Sequence, residues 1–202
     1  MVKQERAART RKILVDAAAL EFDRDGYEGT SLARISKAAG ISSGAVTFHF
    51  AHKGALAGAI LGQGRAAARE VLEKVAGDGA DPLGATVRLT LELARLLESD
   101  VVVRAAARLA REQSRTLPGW YCVWLPTVRQ WLAEAGAAGL LRPGVQSDVL
   151  ATTVGYLLTG LELRIRARAF GPEEGAADGP AVEQLERIWR LVLRGVATDP
   201  PA

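Results

Sequence analysis

The segment GISSGAVTFHFAHKGAL, from Gly40 to Leu56, places hydroxyl, aromatic and imidazole side chains at close spacing. It contains no lysine, arginine or carboxylate before His52. Hydroxyls can hydrogen-bond DNA base edges and small apolar groups can contact thymine methyl groups, whereas most affinity for DNA comes from contacts to phosphate. The segment therefore predicts base reading by neutral side chains, with phosphate contacts supplied by the residues around it.

The candidate DNA contacts fall into two sets. The neutral segment supplies the set that meets base edges or lies closest to the duplex: Ser42, Ser43, Gly44, Ala45, Thr47, Phe48 and His49. The flanking set meets phosphate through cations and through hydroxyls and N–H groups at helix starts. It comprises Thr30, Ser31, Lys53 and the basic N-terminal residues Arg6, Arg9, Arg11 and Lys12.

Several of these assignments compete with a structural interpretation. Phe48 and Phe50 can simply pack the small domain, and packing is the favoured prediction for Phe50. The basic N-terminus can be a disordered, solvated tail. His49 and His52 have no cysteine or carboxylate between them to complete a metal site, so neither a metal nor a cofactor is predicted.

A second group of candidate residues lies between positions 120 and 131, which hold three of the four tryptophans. Trp120, Trp124 and Trp131 are spaced by four and seven residues, so they share one helix face with Thr127. Such a face can line a pocket for a flat or lactone-like ligand, while periodicity alone favours an ordinary core stripe. The candidate ligand-binding residues are Trp120, Tyr121, Trp124, Trp131 and Tyr156, with Thr127 or Gln130 to hydrogen-bond the ligand.

Helical periodicity predicts the elements that position these residues. A first helix runs from about Arg6 to Arg24, a second is capped by Thr30 or Ser31 and ends at Gly40, and a third follows Ser42 and Ser43. Two short helices joined by a glycine turn form a helix-turn-helix in outline. A long helix follows from Lys53 to about Ala76, and five apolar stretches predict the remaining helices, at residues 83–97, 101–113, 120–138, 146–170 and 181–197.

The composition predicts an all-α protein of two domains, a helix-turn-helix domain over residues 1–53 and a helical body over residues 54–202. β-branched and aromatic residues are too sparse for several strands. The net charge of +3 lies entirely in the first domain, since residues 54–202 hold seventeen basic and seventeen acidic residues. The uncharged segment from Val149 to Leu161 is too short to span a membrane, and the single Cys122, among apolar neighbours, predicts a buried thiol in a reducing cytoplasm.

The stretch GYEGTSLARISKAAGISSGAVTFHFAHKGAL, residues 26–56, together with the order of the helices, resembles the TetR family of bacterial repressors. Three further segments look like the γ-butyrolactone receptor branch of that family: VRLTLELARL, VVRAAARLA and WYCVW, at residues 87–96, 102–110 and 120–124. The resemblance implies a homodimer on a pseudo-palindromic operator, released when the body binds a γ-butyrolactone, furan or antibiotic-like effector. It further implies that Trp124 lies against the ligand.

Two details modify this resemblance. Ser43 stands where relatives usually carry Lys or Arg, and Thr47 stands where they usually carry tyrosine, so two strong DNA contacts are replaced by weaker ones. The sequence pI of about 9.3 is typical of the pseudo-receptors within the branch, which respond to antibiotics or related metabolites, rather than of the acidic true receptors.

Three classes of function follow from these patterns. The family resemblance favours a ligand-released repressor over a DNA-binding regulator without a ligand. A helical metabolite-modifying enzyme is the least favoured class, because no G-x-S-x-G elbow or phosphate-binding glycine loop is present. Homodimerisation is predicted for the last two helices, whose apolar residues exceed what one small body buries: Val149, Val154, Leu157, Leu158, Leu161, Leu185, Ile188, Trp189 and Val192.

Overall fold

A computed structural model describes residues 2–113, 119–170 and 179–198, apart from the side chains of residues 2 and 3. These residues form nine helices and no strand, which confirms the all-α class. The helices are α1 Val2–Asp25, α2 Leu32–Ala39, α3 Ser43–His49, α4 Lys53–Gly77, α5 Pro82–Ser99, α6 Val101–Glu112, α7 Tyr121–Ala137, α8 Ser147–Phe170 and α9 Ala181–Val196. The predicted breaks at residues 117–118 and 171–178 lie outside the described residues.

The chain divides into two compact units that do not follow a single cut in the sequence. The first unit comprises Met1–Ala67 and Asp100–Trp120, and the second comprises Ala68–Ser99 and Tyr121–Ala202. The predicted boundary after residue 53 falls inside the first unit, which continues along α4 to Ala67. The helix α6 joins this unit by packing extensively on α1. The unit that carries the helix-turn-helix is therefore completed by a helix from the middle of the sequence.

The first unit is built around apolar side chains from α1 to α4 and from α6. Its buried cluster includes Phe22, Ile35, Val46, Phe50, Leu56, Ile60, Ala105, Ala106 and Leu109. Gly64 allows α4 to approach α6 closely, since a Cβ atom at this position would lie only 2.4 Å from the Cβ of Ala106. Carbon atoms cannot approach that closely, so this contact requires glycine.

Charged groups join one face of α6 to the end of α1. The Asp23 carboxylate is completely buried and accepts a hydrogen bond from Arg104 Nε at 2.8 Å. One turn later, Arg108 Nη1 donates to the Asp23 carbonyl oxygen at 2.7 Å, and after another turn Glu112 accepts from the Tyr27 N–H at 2.8 Å. These three contacts fix the C-terminal end of α1 and the turn that follows it.

In the second unit, α5 packs against α7, α8 and α9. Trp189 on α9 is buried and its Nε1 donates to Thr90 Oγ1 on α5 at 2.7 Å. Just after the C-terminal end of α9, Ala197 pairs with Leu141 in an isolated antiparallel bridge. The indole hydrogen bond and the bridge hold the middle and the C-terminal end of α9 against its own chain.

We expect the Arg104→Ala substitution to lower the free energy of unfolding by about 3–5 kcal/mol, because it leaves the buried Asp23 carboxylate without its guanidinium. Urea unfolding followed by circular dichroism measures this loss. Arg95→Ala is the matched control, since Arg95 pairs with Glu92 and Glu186 in an exposed position and should cost less than about 1 kcal/mol. Equal, small losses in both variants would contradict the prediction.

Candidate functional site

The predicted helix-turn-helix is confirmed, with α2 and α3 joined by a short, capped turn. Ser31 caps α2 by accepting from Arg34 N at 3.2 Å, and Ser42 caps α3 by accepting from Ala45 N at 3.4 Å. Gly40 ends α2 in the left-handed region, at φ 64°, which glycine adopts without strain. Ser31 and Gly40 therefore fix the two ends of α2, and Ser42 fixes the start of α3.

One side of α3 is buried and the opposite side is open to solvent. Val46 and Phe50 are both buried in the core of the first unit, as predicted for Phe50. The residues predicted to read base edges lie on the open side: Ser42, Ser43, Gly44, Thr47 and Phe48 are exposed, and Ala45 and His49 are half-buried. Phe48 is 82 % exposed, so it does not pack the domain.

The Thr47 hydroxyl is oriented by its own helix. Its Oγ1 lies 3.1 Å from the Ser43 carbonyl oxygen and 3.0 Å from that of Gly44, and the hydroxyl proton is donated to this pair. The lone pairs of Oγ1 then remain available to accept from a ligand. Among base edges in the major groove, acceptors pair with the amino groups of adenine and cytosine.

Thr30 is a structural residue, contrary to the prediction that its hydroxyl reaches a phosphate. It is only 2 % exposed, and its Oγ1 donates to the Gly26 carbonyl oxygen at 2.8 Å. The hydroxyl closes the turn between α1 and α2, so it is not available to solvent. The neighbouring Ser31 is exposed and caps α2.

Lys53 stands at the first position of α4, half-buried against the turn after α1. Its Nζ donates to the Tyr27 carbonyl oxygen at 2.7 Å and lies 4.1 Å from the centre of the Tyr27 ring. Neither Tyr27 nor its partner Glu112 was predicted to be a functional residue. No local pattern identifies the pair, because 85 positions separate the two residues.

The basic N-terminus is helical from Val2, so the disordered tail is not what the structure contains. Arg6 and Arg9 are exposed on α1. Arg11 lies over the Phe50 ring at 5.0 Å from its centre, and Lys12 forms a 2.7 Å ion pair with Asp16. All four predicted phosphate contacts are therefore exposed on α1, and Arg11 and Lys12 also contact side chains of their own chain.

The aromatic group near the start of α7 is divided between core and surface. Trp120 and Trp124 have no exposed surface. Tyr121 packs beside Trp124 with ring centres 5.6 Å apart, and its hydroxyl lies 3.2 Å from Thr159 Oγ1 on α8. Trp124 thus belongs to the packed interior of the second unit, with one polar pair close to it.

Gln130, Tyr156, Trp131 and Thr127 are predicted ligand-binding residues that the structure leaves exposed or half-buried. Gln130 is exposed and donates to Glu134 Oε1 at 2.9 Å, and Tyr156 is 74 % exposed. Trp131 is half-buried, as is Thr127. The buried stripe of α7 is rotated away from Trp131 because aliphatic side chains fill it: Trp124 is followed by Val128, Leu132 and Ala135. Cys122, predicted to be buried, is exposed on the same helix.

Among the depressions on the described surface of the second unit are three open ones, and Trp124 lines none of these three. One of about 490 Å³ lies between the start of α5 and the end of α9, lined by Leu83, Val87, Arg88 and Leu193 among others. Two of about 350 Å³ each lie between α8 and α9. Because Trp124 has no exposed surface, a ligand that contacts it requires the surrounding side chains to move.

In the described part of the chain, neither a metal-binding cluster nor a membrane-spanning helix is present. No group of three or more histidine, cysteine, aspartate or glutamate side chains there is arranged to hold a metal ion. No helix among residues 2–113, 119–170 and 179–198 has the length and apolar character needed to cross a membrane.

Comparison with known proteins gives consistent matches over the whole chain. Residues 14–60 match the family of bacterial regulatory proteins described as the tetR family. The chain is 30 % identical to the A-factor receptor protein of Streptomyces griseus over 198 residues, which cover 98 % of this chain and 67 % of that protein.

Similar solved structures include two crystal structures of a γ-butyrolactone receptor, described as an ArpA-like protein. They are 31 % and 32 % identical to this chain, with TM-scores of 0.76 and 0.79, and cover 95 % and 96 % of it and 89 % and 90 % of their own chains. CprB from Streptomyces coelicolor, studied in complex with its biological operator sequence, is 31 % identical with a TM-score of 0.74, covering 95 % of this chain and 90 % of its own.

Proposed function

Since the chain belongs to the TetR family of bacterial regulatory proteins and is related to the γ-butyrolactone receptors, we propose that it is a ligand-released transcriptional repressor. In this proposal a homodimer binds a pseudo-palindromic operator in the cytoplasm, and a small hydrophobic signalling molecule releases it. The observation that carries the proposal is the open face of α3. On this face the hydroxyls of Ser43 and Thr47 and the ring of Phe48 are exposed to solvent instead of packing in the core.

The proposal divides DNA binding between two groups of residues. The exposed side chains of α3 meet base edges, with Ser43, Thr47 and Phe48 as the main contacts. Phosphate is met by Lys53, by Arg6 and Arg9 on α1, and by the N–H groups at the start of α2 beside Ser31. Neutral base contacts give weaker discrimination at each position than bidentate pairs from arginine or lysine.

The overall proposal is tested by recovering genomic DNA bound to the protein and measuring gel shifts on the enriched sequences. A repressor of this kind shifts one pseudo-palindromic duplex at low concentration and releases it when a γ-butyrolactone or furan from a synthetic panel is added. Sequence-specific binding that no panel compound reverses would instead favour a regulator without such an effector. Absence of specific binding would end the proposal.

We predict that Lys53→Ala weakens binding to all duplexes similarly and reduces the slope of log affinity against log salt by about one unit. Thr47→Ala should instead reduce the preference for the operator over other sequences and leave the slope unchanged. Lys74→Ala, at the other end of α4, is the control for loss of one positive charge. An altered sequence preference with an unchanged salt slope in Lys53→Ala would reverse this division of roles.

Homodimerisation is supported by an apolar stripe that the chain itself leaves open. On α8, Val149, Tyr156, Leu163 and Phe170 recur every seven residues and are all exposed, and Leu191 on α9 is 72 % exposed. A seven-residue apolar repeat is the pattern by which helices pack against partner helices. The two depressions between α8 and α9 can receive side chains of a second copy.

The residues predicted to form this interface require a correction. Five of the nine are buried within their own chain and form its core: Val154, Leu158, Leu161, Leu185 and Trp189. The remaining four, Val149, Leu157, Ile188 and Val192, are exposed or half-buried, and Tyr156 and Leu191 join them.

We predict that Leu191→Asp converts the dimer to a monomer at micromolar concentration, because dimerisation would bury its carboxylate in an apolar interface. Light scattering gives the mass directly. Leu20→Asp on α1 is the control, since Leu20 is a comparably exposed leucine outside α8 and α9. A wild-type protein that is monomeric at this concentration, or a dimer that survives Leu191→Asp, would place the interface elsewhere or remove it.

The effector site is proposed around Trp124, the residue that matches the tryptophan placed against the ligand in the receptor branch. Because Trp124 is fully buried, Trp124→Ala should cost about 3–5 kcal/mol of stability and cannot report on ligand binding alone. Tyr121, whose ring packs beside Trp124, and Thr159, which hydrogen-bonds Tyr121, are polar groups that can hydrogen-bond a lactone there. A ligand there must prefer the released state, and a hundredfold preference corresponds to about 2.7 kcal/mol per site.

We predict that Trp124→Phe, which keeps an aromatic ring in the core, retains operator binding but needs at least about tenfold more effector for release. The readout is fluorescence anisotropy of a labelled operator during titration with the active compound from the panel. Trp189→Phe is the matched control, because Trp189 is another buried indole, bonded to Thr90. Release of both variants at the wild-type concentration would place the effector site away from Trp124.

A further inference from the structure

Lys53 rests on Tyr27, and Tyr27 is itself held by neighbouring residues. The Tyr27 ring stacks on the buried Phe22 ring, with centres 5.9 Å apart and planes 11° apart. Lys53 Nζ lies on the ring and bonds the Tyr27 carbonyl oxygen at 2.7 Å. The Tyr27 N–H is bonded by Glu112 Oε2 at 2.8 Å. Tyr27 is therefore held at its backbone by α6 and at its ring by α1.

Glu112 is itself oriented for this contact. Its Oε1 accepts from Arg108 Nε at 2.7 Å, which leaves Oε2 for the Tyr27 N–H. The carboxylate occupies the space beside Gly26, where a Cβ atom would lie 2.6 Å from Oε1. Gly26 has a φ of 74°, which glycine adopts without strain, and a side chain at this position would displace the Glu112 carboxylate.

The charge state of Glu112 suits an acceptor. Burial raises the pKa of this carboxyl, but the hydrogen bonds from the Tyr27 N–H and Arg108 and the charges of Arg108 and Arg111 lower it by more, so the pKa lies below its ordinary value. The carboxylate is consequently ionised at neutral pH, and a charged acceptor strengthens the bond to the Tyr27 N–H.

We propose that Glu112 is a positioning residue for DNA binding: by fixing the Tyr27 peptide, it holds the Lys53 ammonium group where it meets a DNA phosphate. The proposal rests on the proposed function, since it takes Lys53 as a phosphate contact. An ammonium group has three donors, and one bond to the Tyr27 carbonyl oxygen leaves two for phosphate. A carboxylate would thereby increase affinity for a polyanion, the opposite of what its own charge does.

The positioning effect of Glu112 and the repulsion between its charge and DNA change affinity in opposite directions. Three substitutions at this one position can therefore separate them. Glu112→Gln removes the charge but keeps an oxygen that accepts from the Tyr27 N–H. Glu112→Asp keeps the charge but withdraws the oxygens by about 1.5 Å, one carbon–carbon bond. Glu112→Ala removes both charge and acceptor. Glu28→Gln removes a neighbouring exposed carboxylate without touching the contact, and is the control for charge.

The measurement is the affinity and salt slope for the selected operator duplex and for a random-sequence duplex, at a temperature where circular dichroism shows each variant folded. Positioning predicts that Glu112→Gln stays within about twofold of wild type, whereas Glu112→Asp weakens binding to both duplexes several-fold with a shallower salt slope. Glu112→Ala should approach Lys53→Ala, with a slope lower by about one unit. In a Lys53→Ala background all three should have no further effect.

Other outcomes would overturn the proposal. If Glu112→Gln and Glu28→Gln both bind more tightly while Glu112→Asp equals wild type, Glu112 acts only as a charge. If Glu112→Asp or Glu112→Ala weakens binding equally with and without Lys53, Glu112 acts only on stability. Should Glu112→Ala not fold, the comparison of Asp with Gln decides alone. If Lys53→Ala changes neither affinity nor slope, the phosphate contact of Lys53 in the proposed function is wrong. If Lys53→Ala weakens binding but Glu112→Asp binds like wild type, only the positioning role of Glu112 is wrong.

Discussion

The first unit depends on one buried charge. The Asp23 carboxylate has no exposed surface, and a carboxylate in the interior is tolerated only with a partner. That partner is Arg104 on α6, 81 residues further along the chain, whose Nε lies 2.8 Å from Asp23 Oδ2. Since Asp23 sits in the last turn of α1, this pair determines where α1 ends against α6, and the turn that leads to α2 starts from there.

The same face of α6 continues the connection at four-residue spacing, through Arg108 and Glu112 to Asp23 and Tyr27. Each contact has a backbone partner, so it fixes the path of the chain rather than a single rotamer. The helix-turn-helix therefore receives its orientation from two sources, the apolar cluster that includes Val46 and Phe50, and the polar contacts along α6. Lys53 joins them because it rests on Tyr27.

A neutral reading helix is physically consistent with this arrangement. The caps of α2 and α3 hold N–H groups at the surface, Phe48 is left exposed, and the cations lie on α1 and at the start of α4. In the proposed function, specificity and affinity are then carried by different elements, which would permit changes at Ser43 or Thr47 without loss of phosphate binding. The second unit shows a comparable separation, since Trp124 and Trp189 fill the interior while the apolar stripe on α8 remains open.

The sequence by itself determined the helices, because apolar periodicity, serine caps and glycine stops are local signals that act within one or two turns. It also identified α3 as the exposed candidate helix and Phe50 as core. Only the tertiary structure decided that α6 completes the first unit, that Thr30 is enclosed, and that Tyr27 and Glu112 support Lys53. It alone separated Leu185 and Trp189, which face their own chain, from Leu191, which does not. These features depend on which face of a helix meets which neighbour, and contacts between residues tens of positions apart leave no pattern in the local sequence.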